Sequence, residues 1–545
     1  MRFPVSRRAV LFSVVAVLAM ACGKTVSVDL ALIEPCDQKN QALNGISSFS
    51  LATQSVSEDG TAAGDIVTFT AEAGPPALDV GLGDVTVEVK AFADDVTTAG
   101  AASALPKAVG RTMPLSITAQ SSNTKAVIMV GNVDTFGRTT NAAGECTSMT
   151  ADAPLTGRHG HTATFVPVLN QVLIVGGAVF LADGSESFLA SAELWDPATG
   201  AFASLGLVGA GRAYHAATAL PDGRVLISGG IGTISGQAVT LQLAEIFDPI
   251  AQAFSTMQLR QPRAHHTSTL MEGAGLVALV GGCKGDGAAG VCTTTQAGAG
   301  NAGDSTDLVT TVETFDIAAG TTATVAVPSA SGLAVGRAFH QATSLENGSA
   351  TLLVVTGGAN ADGPVCGIEL FRADGGSLSR LDAPNINVTF PTTPSPKCPV
   401  RHAAVSVLGA DSQPKVLIIG GQSQAAAGRP AGPGQVDVFE FTTLSGLAPL
   451  ATLVNARAGH QAARLLDNSV IIVGGSTGAG PTAEILRPAA GTGSITSSVL
   501  QSGPSQAREN GALAVLPSNQ VLFTGGSTLV APVQSVATAE LFFGP

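Results

Sequence analysis

Seven stretches of the chain repeat one order of polar and apolar positions. Most copies begin with an Arg and a His three positions later, as at Arg212 and His215. Small or polar residues then alternate with apolar ones, and a continuous apolar run such as residues 225–227 follows. Each run ends in a Gly pair. The first glycines of these pairs are Gly176, Gly229, Gly281, Gly357, Gly420, Gly474 and Gly525, so the period is 51 to 76 residues.

Each unit carries an acidic residue further along, next to apolar residues, as in Ala244-Glu245-Ile246-Phe247. Alternation predicts a first strand with one buried face, and the continuous run predicts a second strand buried on both faces. The acid begins a third strand. A weaker, more polar segment such as residues 253–257 is typical of a fourth strand at an outer edge. The pattern therefore predicts an all-β fold built from four-stranded units.

The repeat resembles that of the Kelch family, in which a Gly pair follows an apolar strand and an acid–aromatic pair comes later. The resemblance covers residues 145–545 and implies a seven-bladed β-propeller with one unit per blade. The last unit ends just after its third strand, at Pro545. We therefore expect residues 147–150 to complete the last blade and to close the ring.

We interpret the repeated Arg and His as architecture, because a catalytic residue would occur once and among unlike partners. Strands one and three of a blade lie ~9–10 Å apart, and an Arg can meet the acid across that gap where the Gly pair leaves room. The sequence allows pairs within a blade or between neighbours. A catalytic or metal-binding role is the alternative. The predicted set is Arg158, Arg212, Arg263, Arg337, Arg401, Arg457 and Arg508 with Glu193, Glu245, Glu313, Glu369, Asp437, Glu484 and Glu540.

Residues 23–144 lack the repeat. Residues 85–91 alternate cleanly between apolar and polar side chains, and residues 65–71, 115–119 and 126–130 are further strand candidates. Several short strands separated by Gly, Pro and Asp predict a small β-sandwich, which resembles the immunoglobulin-like modules of exported bacterial proteins.

Residues 1–22 have the pattern of a signal peptide. Three Arg precede a 13-residue apolar stretch at positions 9–21, which is too short to span a bilayer comfortably. Small residues directly before Cys22 resemble a bacterial lipobox, which implies lipid attachment at Cys22. Ordinary cleavage near Ala21 and a retained anchor are the alternatives. We expect an exported protein of the cell envelope that contacts a membrane only through this lipid, or else a periplasmic or secreted one.

The six Cys that remain form an even set in an exported chain, which favours disulfides over a metal site. No two of them have the Cys-x-x-Cys spacing of zinc ligands. The predicted pairs are Cys36–Cys146, Cys283–Cys292 and Cys366–Cys398.

Composition limits the classes of function that the protein can have. The formal net charge is −13 with no basic patch, which argues against nucleic-acid binding. Tyr214 is the single Tyr, so the copper chemistry of galactose oxidase-like propellers is excluded. We expect no cofactor and no metal. The sequence favours a non-enzymatic binding or scaffold protein that recognises an unknown protein partner; a carbohydrate-binding propeller or a mutarotase-like enzyme is the alternative. The longest insertions, at residues 283–307, 383–400 and 422–435, are the predicted recognition loops.

Overall fold

The structure is a computed structural model of the 545-residue chain. It describes residues 10–17, 25–38, 41–57, 60–73, 83–97, 105–117, 124–139, 147, 157–284, 308–318, 333, 335–347, 350–360, 363–374, 377–381, 389–391, 397–409, 412–422, 435–443, 445–476, 482–488, 495–500, 503–528 and 533–544. Within these ranges the protein is all-β, and its one helical element is a short 3-10 turn at Glu272–Ala274.

Two sheets precede the repeats. In the first, Thr25–Ile33 pairs antiparallel with Val10–Val17 and parallel with Thr124–Met129. The second has the strand order Gly60–Thr70, Ser48–Ser57, Gly83–Phe92, Ala108–Arg111 and Gly131–Asn132, with Leu115–Ile117 also paired to Gly83–Phe92.

The two N-terminal sheets share one core. Leu30 of the first sheet packs with Phe49 and Val87 of the second. The alternation of residues 85–91 has its cause here, because Val85, Val87, Val89 and Ala91 all face this core. A second cluster joins Ile33 and Val109 to Phe543 near the C-terminus, so the N-terminal sheets also pack against the repeats.

The repeats form a series of antiparallel sheets. The first and second contain Thr162–Val166, Gln171–Val175, Ser191–Trp195 and Phe202–Leu207, then Ala216–Ala219, Val225–Ser228, Leu243–Asp248 and Ala253–Gln258. The third contains Thr267–Met271, Leu276–Val280 and Val312–Asp316; the fourth contains Gln341–Asn347, Ala350–Thr356, Glu369–Asp374 and Ser377–Leu381.

The fifth and sixth repeat sheets share the long strand Gly446–Arg464, which ends one unit and begins the next. Their other strands are Ala403–Leu408, Pro414–Ile419 and Gln435–Thr442, then Val470–Ser476, Ala483–Pro488 and Ile495–Val499. The seventh contains Ala512–Val515, Val521–Thr524 and Ala539–Phe543 with Thr135–Arg138.

Short hairpins follow several of the Gly pairs and lie on the side of the molecule where the second strands end. They are formed by Ala178–Phe180 with Glu186–Phe188, Ile231–Ile234 with Gln237–Thr240, and Ala359–Asn360 with Gly363–Pro364. In the seventh repeat, Arg508–Glu509 pairs with Ser527–Thr528.

The second strand of each repeat sheet is buried, as its apolar run predicts. Val172, Leu173 and Ile174 have no exposed surface, and Trp195 packs beside them. Successive first strands contact one another, and the first strand of the seventh sheet contacts that of the first. The repeat sheets therefore pack against one another through their first strands.

The segment that completes the last sheet is not the one the sequence indicated. Thr135–Arg138 pairs antiparallel with Ala539–Phe543, where residues 147–150 were expected. Phe136 is buried there against Phe542, with ring centroids 5.4 Å apart. Thr147 instead donates its backbone N–H to the carbonyl of Thr139, and residues 148–150 lie outside the described ranges. Burial of Phe136 gives the earlier segment an apolar anchor.

Candidate functional site

The repeated Arg and acidic side chains lie buried inside the repeat sheets. Arg212 Nη2 donates to Glu245 Oε2 at 2.6 Å, and neither side chain has exposed surface. Nη1 of the same Arg donates to the carbonyl oxygens of Gly229 and Leu243 at 2.9 and 3.1 Å. Each pair lies within one unit. The same contact joins Arg158 with Glu193, Arg263 with Glu313, Arg337 with Glu369, Arg457 with Glu484 and Arg508 with Glu540.

The Gly pair holds neighbouring units together. A Cβ on Gly229, whose φ is 59°, would lie 2.1 Å from the carbonyl oxygen of Arg263 in the next unit. The N–H of Gly230 donates to that same oxygen at 2.9 Å. Positive φ and this close approach both require Gly, so the pair is a structural feature of the contact between units.

The fifth unit departs from the pattern, and the predicted pair of Arg401 with Asp437 is wrong. Pro399 takes the place of the repeat Arg, since its carbonyl accepts the Gly358 N–H as the Arg carbonyls do elsewhere. Asp437 instead pairs with Lys397, Nζ to Oδ1 at 2.5 Å. Arg401 lies two residues later in the motif, where it has a φ of 55° and bonds Glu509.

The His at the fourth motif position is a buried structural residue. His215 Nε2 lies 2.9 Å from Thr162 Oγ1 of the preceding unit, and His402 Nε2 lies 2.8 Å from Thr356 Oγ1. Burial lowers the pKa of both His215 and His402 to about 3. A neutral imidazole that bridges two sheets has no access to a substrate, which supports the architectural interpretation.

The third motif position, between the Arg and the His, builds a different kind of site. Its residues all have φ between 51° and 67°. From Tyr214 to Gly459, the backbone N–H of each residue donates to the carbonyl of the preceding one, for example Tyr214 to Gly160 at 2.7 Å, His265 to Tyr214 at 3.1 Å, and Arg401 to Phe339 at 3.1 Å. The positions are Gly160, Tyr214, His265, Phe339, Arg401, Gly459 and Asn510.

Side chains from this ring, with Glu186 and Glu509, form what we call the central cluster: Glu186, Tyr214, His265, Phe339, Arg401 and Glu509. Non-Gly residues with positive φ cost ~1–3 kcal/mol each and persist where the surrounding structure holds them. Such residues concentrate at binding and catalytic sites, so the central cluster is the candidate functional site.

One half of the central cluster is aromatic. The ring centroids of Tyr214 and His265 lie 4.7 Å apart, and those of His265 and Phe339 lie 4.3 Å apart. The Tyr214 ring lies over Gly160, where a Cβ would be 2.8 Å from it. Phe180 adds a further ring, stacked on His159 at 4.2 Å. Tyr214 and His265 are both partly exposed, whereas Phe339 is buried in a core cluster on which Tyr214 packs.

The other half is charged. Arg401 Nη2 donates to Glu509 Oε2 at 2.8 Å and to Asn510 Oδ1 at 3.3 Å. Arg401 lies over Gly459, where a Cβ would be 2.6 Å from Nη2. The side chains of Arg401 and Glu509 are 13% and 22% exposed, so the pair is mostly buried but keeps some solvent-exposed surface.

Glu186 joins the two halves. Its Oε1 accepts the Tyr214 hydroxyl at 2.6 Å and lies 2.9 Å from His159 Nε2. Burial alone would raise the pKa of Glu186, but these two hydrogen bonds hold it below its usual value. Burial raises the pKa of Tyr214 well above its usual range, and the Glu186 carboxylate adds to that shift. At neutral pH the cluster therefore holds an ionised carboxylate beside a neutral phenol.

The disulfide Cys366–Cys398 is present, with its Cα atoms 4.6 Å apart. Cys36 and Cys283 are also disulfide-bonded, and their predicted partners Cys146 and Cys292 lie outside the described residues. Cys22 lies outside them as well.

Most of the predicted recognition loops also fall outside the described residues, including 285–307, 382–388, 392–396 and 423–434. In the ranges that the structure describes, no three His, Cys, Asp or Glu side chains come together as a metal site. Those ranges also contain no helix long and apolar enough to cross a membrane.

Comparisons with known proteins add little. No family model matches the chain, and no curated protein matches it. Among solved structures, the chain is similar to one titled "Structure of YjhT", with 15% identity and a TM-score of 0.42 over 63% of this chain and 98% of that one.

Proposed function

We propose that the seven repeat sheets are the blades of a Kelch-type β-propeller that follows an N-terminal β-sandwich. The successive contacts of the first strands, which return from the seventh sheet to the first, support this arrangement. The strand Thr135–Arg138 would complete the last blade from the N-terminal side of the repeats. The Gly pair at the same place in each unit, and the buried Arg–acid pair in every unit except the fifth, fit a radial array.

We propose further that the protein is a non-enzymatic binding protein that recognises a protein partner on the face that carries the central cluster. The single observation that carries this proposal is the cluster itself: partly exposed aromatic and charged side chains held on a backbone ring of positive-φ residues. The post-Gly hairpins surround it. Their tips expose Leu181, Ile234 and Val533 by 48%, 56% and 46%, on three neighbouring repeats. Exposed apolar side chains grouped on one face are typical of a protein-binding surface.

A paired substitution tests this face. We expect the double variant Leu181→Asp with Ile234→Asp to lose capture of partner proteins from an envelope extract of the producing cells. Docking would have to bury the two introduced carboxylates in the interface, which costs binding free energy. The measurement is quantitative comparison of proteins retained by the immobilised wild type and variant.

The matched control lies on the opposite face. Leu466 and Ile250 are 62% and 87% exposed in turns at the other ends of the strands. The double variant Leu466→Asp with Ile250→Asp should retain the same proteins as the wild type. Loss of capture with the control pair but not with the hairpin pair would show that the wrong face has been assigned.

We also propose that the chain is exported and anchored in the cell envelope through a lipid on Cys22, and that cleavage of the signal peptide removes the strand Val10–Val17 from the first sheet. The support is the sequence: a positive start, an apolar stretch and small residues before the Cys. The wild type should partition into the detergent phase with a lipid-sized mass increase on its N-terminal peptide, and Cys22→Ser should partition into water. An unmodified Cys22 in the mature wild type would contradict the anchor.

A further inference from the structure

We propose that signal-peptide cleavage opens one edge of the first N-terminal sheet, and that a second copy of the chain pairs with that edge through its own strand Thr25–Ile33. This inference rests on the proposed cleavage before Cys22. In the structure the edge is covered by Val10–Val17, an eight-residue strand that lies inside the signal peptide. Its removal leaves Thr25–Ile33 with an open edge in the mature protein.

The backbone groups that face this open edge follow from the pairing on the other side of the strand. There Thr25–Ile33 pairs parallel with Thr124–Met129, and Ile33 lies opposite Met129. The Ile33 carbonyl accepts the N–H of Val130 at 2.8 Å, so the backbone groups of Ile33 point away from the open edge. Backbone groups alternate in direction along a strand, so those of residues 26, 28, 30 and 32 point toward the open edge. Such a row is a template for pairing with another chain.

The strand that covers the edge before cleavage shows what kind of segment fits there. Val10–Val17 runs antiparallel to Thr25–Ile33, with Val10 opposite Leu32. Leu30 and Leu32 are buried in the core that the two N-terminal sheets share. Directly opposite residues of an antiparallel pair lie on the same side of the sheet. A replacement strand therefore needs apolar residues at every second position, next to this core.

A second copy of the chain supplies such a strand. Residues 26, 28, 30 and 32 are Val, Val, Leu and Leu. When two copies pair antiparallel with Leu30 opposite Leu30, Val28 lies opposite Leu32 and Asp29 lies opposite Ala31. This register keeps the apolar positions of both strands on one side and avoids two carboxylates directly opposite each other, which would be destabilising. Both copies use the same surface, so the contact is twofold symmetric.

The proposed anchor favours a second copy over a strand from another protein. Thr25 is three residues after Cys22, so copies attached to one membrane hold their open edges close to its surface. Confinement to a surface raises the effective concentration of one copy for another. A single pair of strands is a small interface, so we expect a weak, reversible dimer in solution.

Sedimentation equilibrium tests the dimer with two forms of the chain, produced in the same oxidising host. Residues 23–545 have the open edge, and we expect a reversible equilibrium between monomer and dimer. Residues 9–545 with Cys22→Ser keep Val10–Val17 and should stay monomeric. A synthetic peptide of residues 7–17, which carries Arg7 and Arg8 for solubility, should bind the 23–545 form and convert its dimer to monomer.

A substitution at the open edge tests the backbone contact itself. Val28→Pro removes an N–H that points toward the edge and leaves the pairing with Thr124–Met129 in place. Each dimer then loses two hydrogen bonds, so dimerisation should weaken about tenfold or more. Val28→Ala is the matched control, because it shortens the side chain but keeps the N–H, and it should weaken the dimer less. Thermal unfolding checks that both variants are folded.

The possible results separate this proposal from the others. A 23–545 form that stays monomeric would overturn it; if that monomer binds the peptide, the edge accepts a strand from another protein instead. A dimer that withstands both the peptide and Val28→Pro uses a different surface, which would also overturn it. Failure of the cleavage proposal is seen separately, as an unprocessed Cys22 in the mature protein.

Discussion

Replacing Arg212 with Ala should lower the free energy of unfolding by about 3 kcal/mol or more, because it leaves a buried carboxylate without its partner. Glu245 has no exposed surface and would lose the Nη2 bond at 2.6 Å. The carbonyl oxygens of Gly229 and Leu243 would lose a donor at the same time. Equilibrium denaturation with urea measures the effect.

Arg224 provides the matched control. It pairs with Asp222 at 2.6 Å in the same repeat sheet, but the two side chains are 21% and 40% exposed. Exposed pairs are worth about 0–1 kcal/mol, so Arg224→Ala should change stability little. Equal effects from the two substitutions would contradict a structural role for the repeated Arg.

The position of the Arg–acid pairs could be predicted because both members recur at a fixed place in the repeat. Arg212 and Glu245 illustrate this, because the repeat alone was enough to pair them. The prediction failed in the fifth unit for a physical reason. Arg401 directly precedes His402, whereas the repeat Arg lies three positions before the His. That spacing places Pro399 at the repeat Arg position, and the bond from the Gly358 N–H to the Pro399 carbonyl agrees with it.

The strand that completes the last sheet was harder to predict. Residues 135–138 and 147–150 both contain Thr and other residues common in strands, and β-propensity depends on the surface that a segment meets. Phe136 decides the choice by packing on Phe542, which lies about 400 residues away in sequence. A contact between residues this far apart in the sequence leaves no pattern in either local segment.

The central cluster could not be read from the sequence either. Its motif position holds Gly, Tyr, His, Phe, Arg, Gly and Asn in successive units, so no residue type repeats there. Only the shared backbone conformation and the series of backbone hydrogen bonds bring Tyr214 and Arg401 into one cluster. The one available signal in the sequence was that the third motif position varies between units, while the Arg and the His on either side of it recur in most of them.

Acidification should destabilise the protein steeply below pH 6.5, through the buried His residues at the fourth motif position. Burial lowers the pKa of His215, His340 and His402 to about 3, against 6.5 for an exposed imidazole. Between these values the unfolded chain binds protons at these residues and the folded protein does not. Stability therefore falls as the pH falls through this window, by up to about 1.4 kcal/mol per pH unit for each His, or roughly 4 kcal/mol per unit for three.

The pH range from 6.5 to 4.5 separates this effect from that of the carboxylates. Hydrogen bonds and Arg457 hold the pKa of Glu484 below its usual 4.5 despite burial, so its contribution is lost only at lower pH. Urea midpoints at pH 7, 6, 5 and 4.5 measure the slope. His161, His266 and His460 at the same motif position also have their pKa lowered by burial, so six His residues contribute to the slope. Replacing His402 with Gln, which keeps a donor near Thr356 Oγ1 but cannot gain a proton, should therefore reduce that slope by about a sixth. Because Gln also changes the packing, the slope and not the absolute stability is the diagnostic quantity. A midpoint that stays constant from pH 6.5 to 4.5 would mean that these imidazoles are not kept neutral by burial.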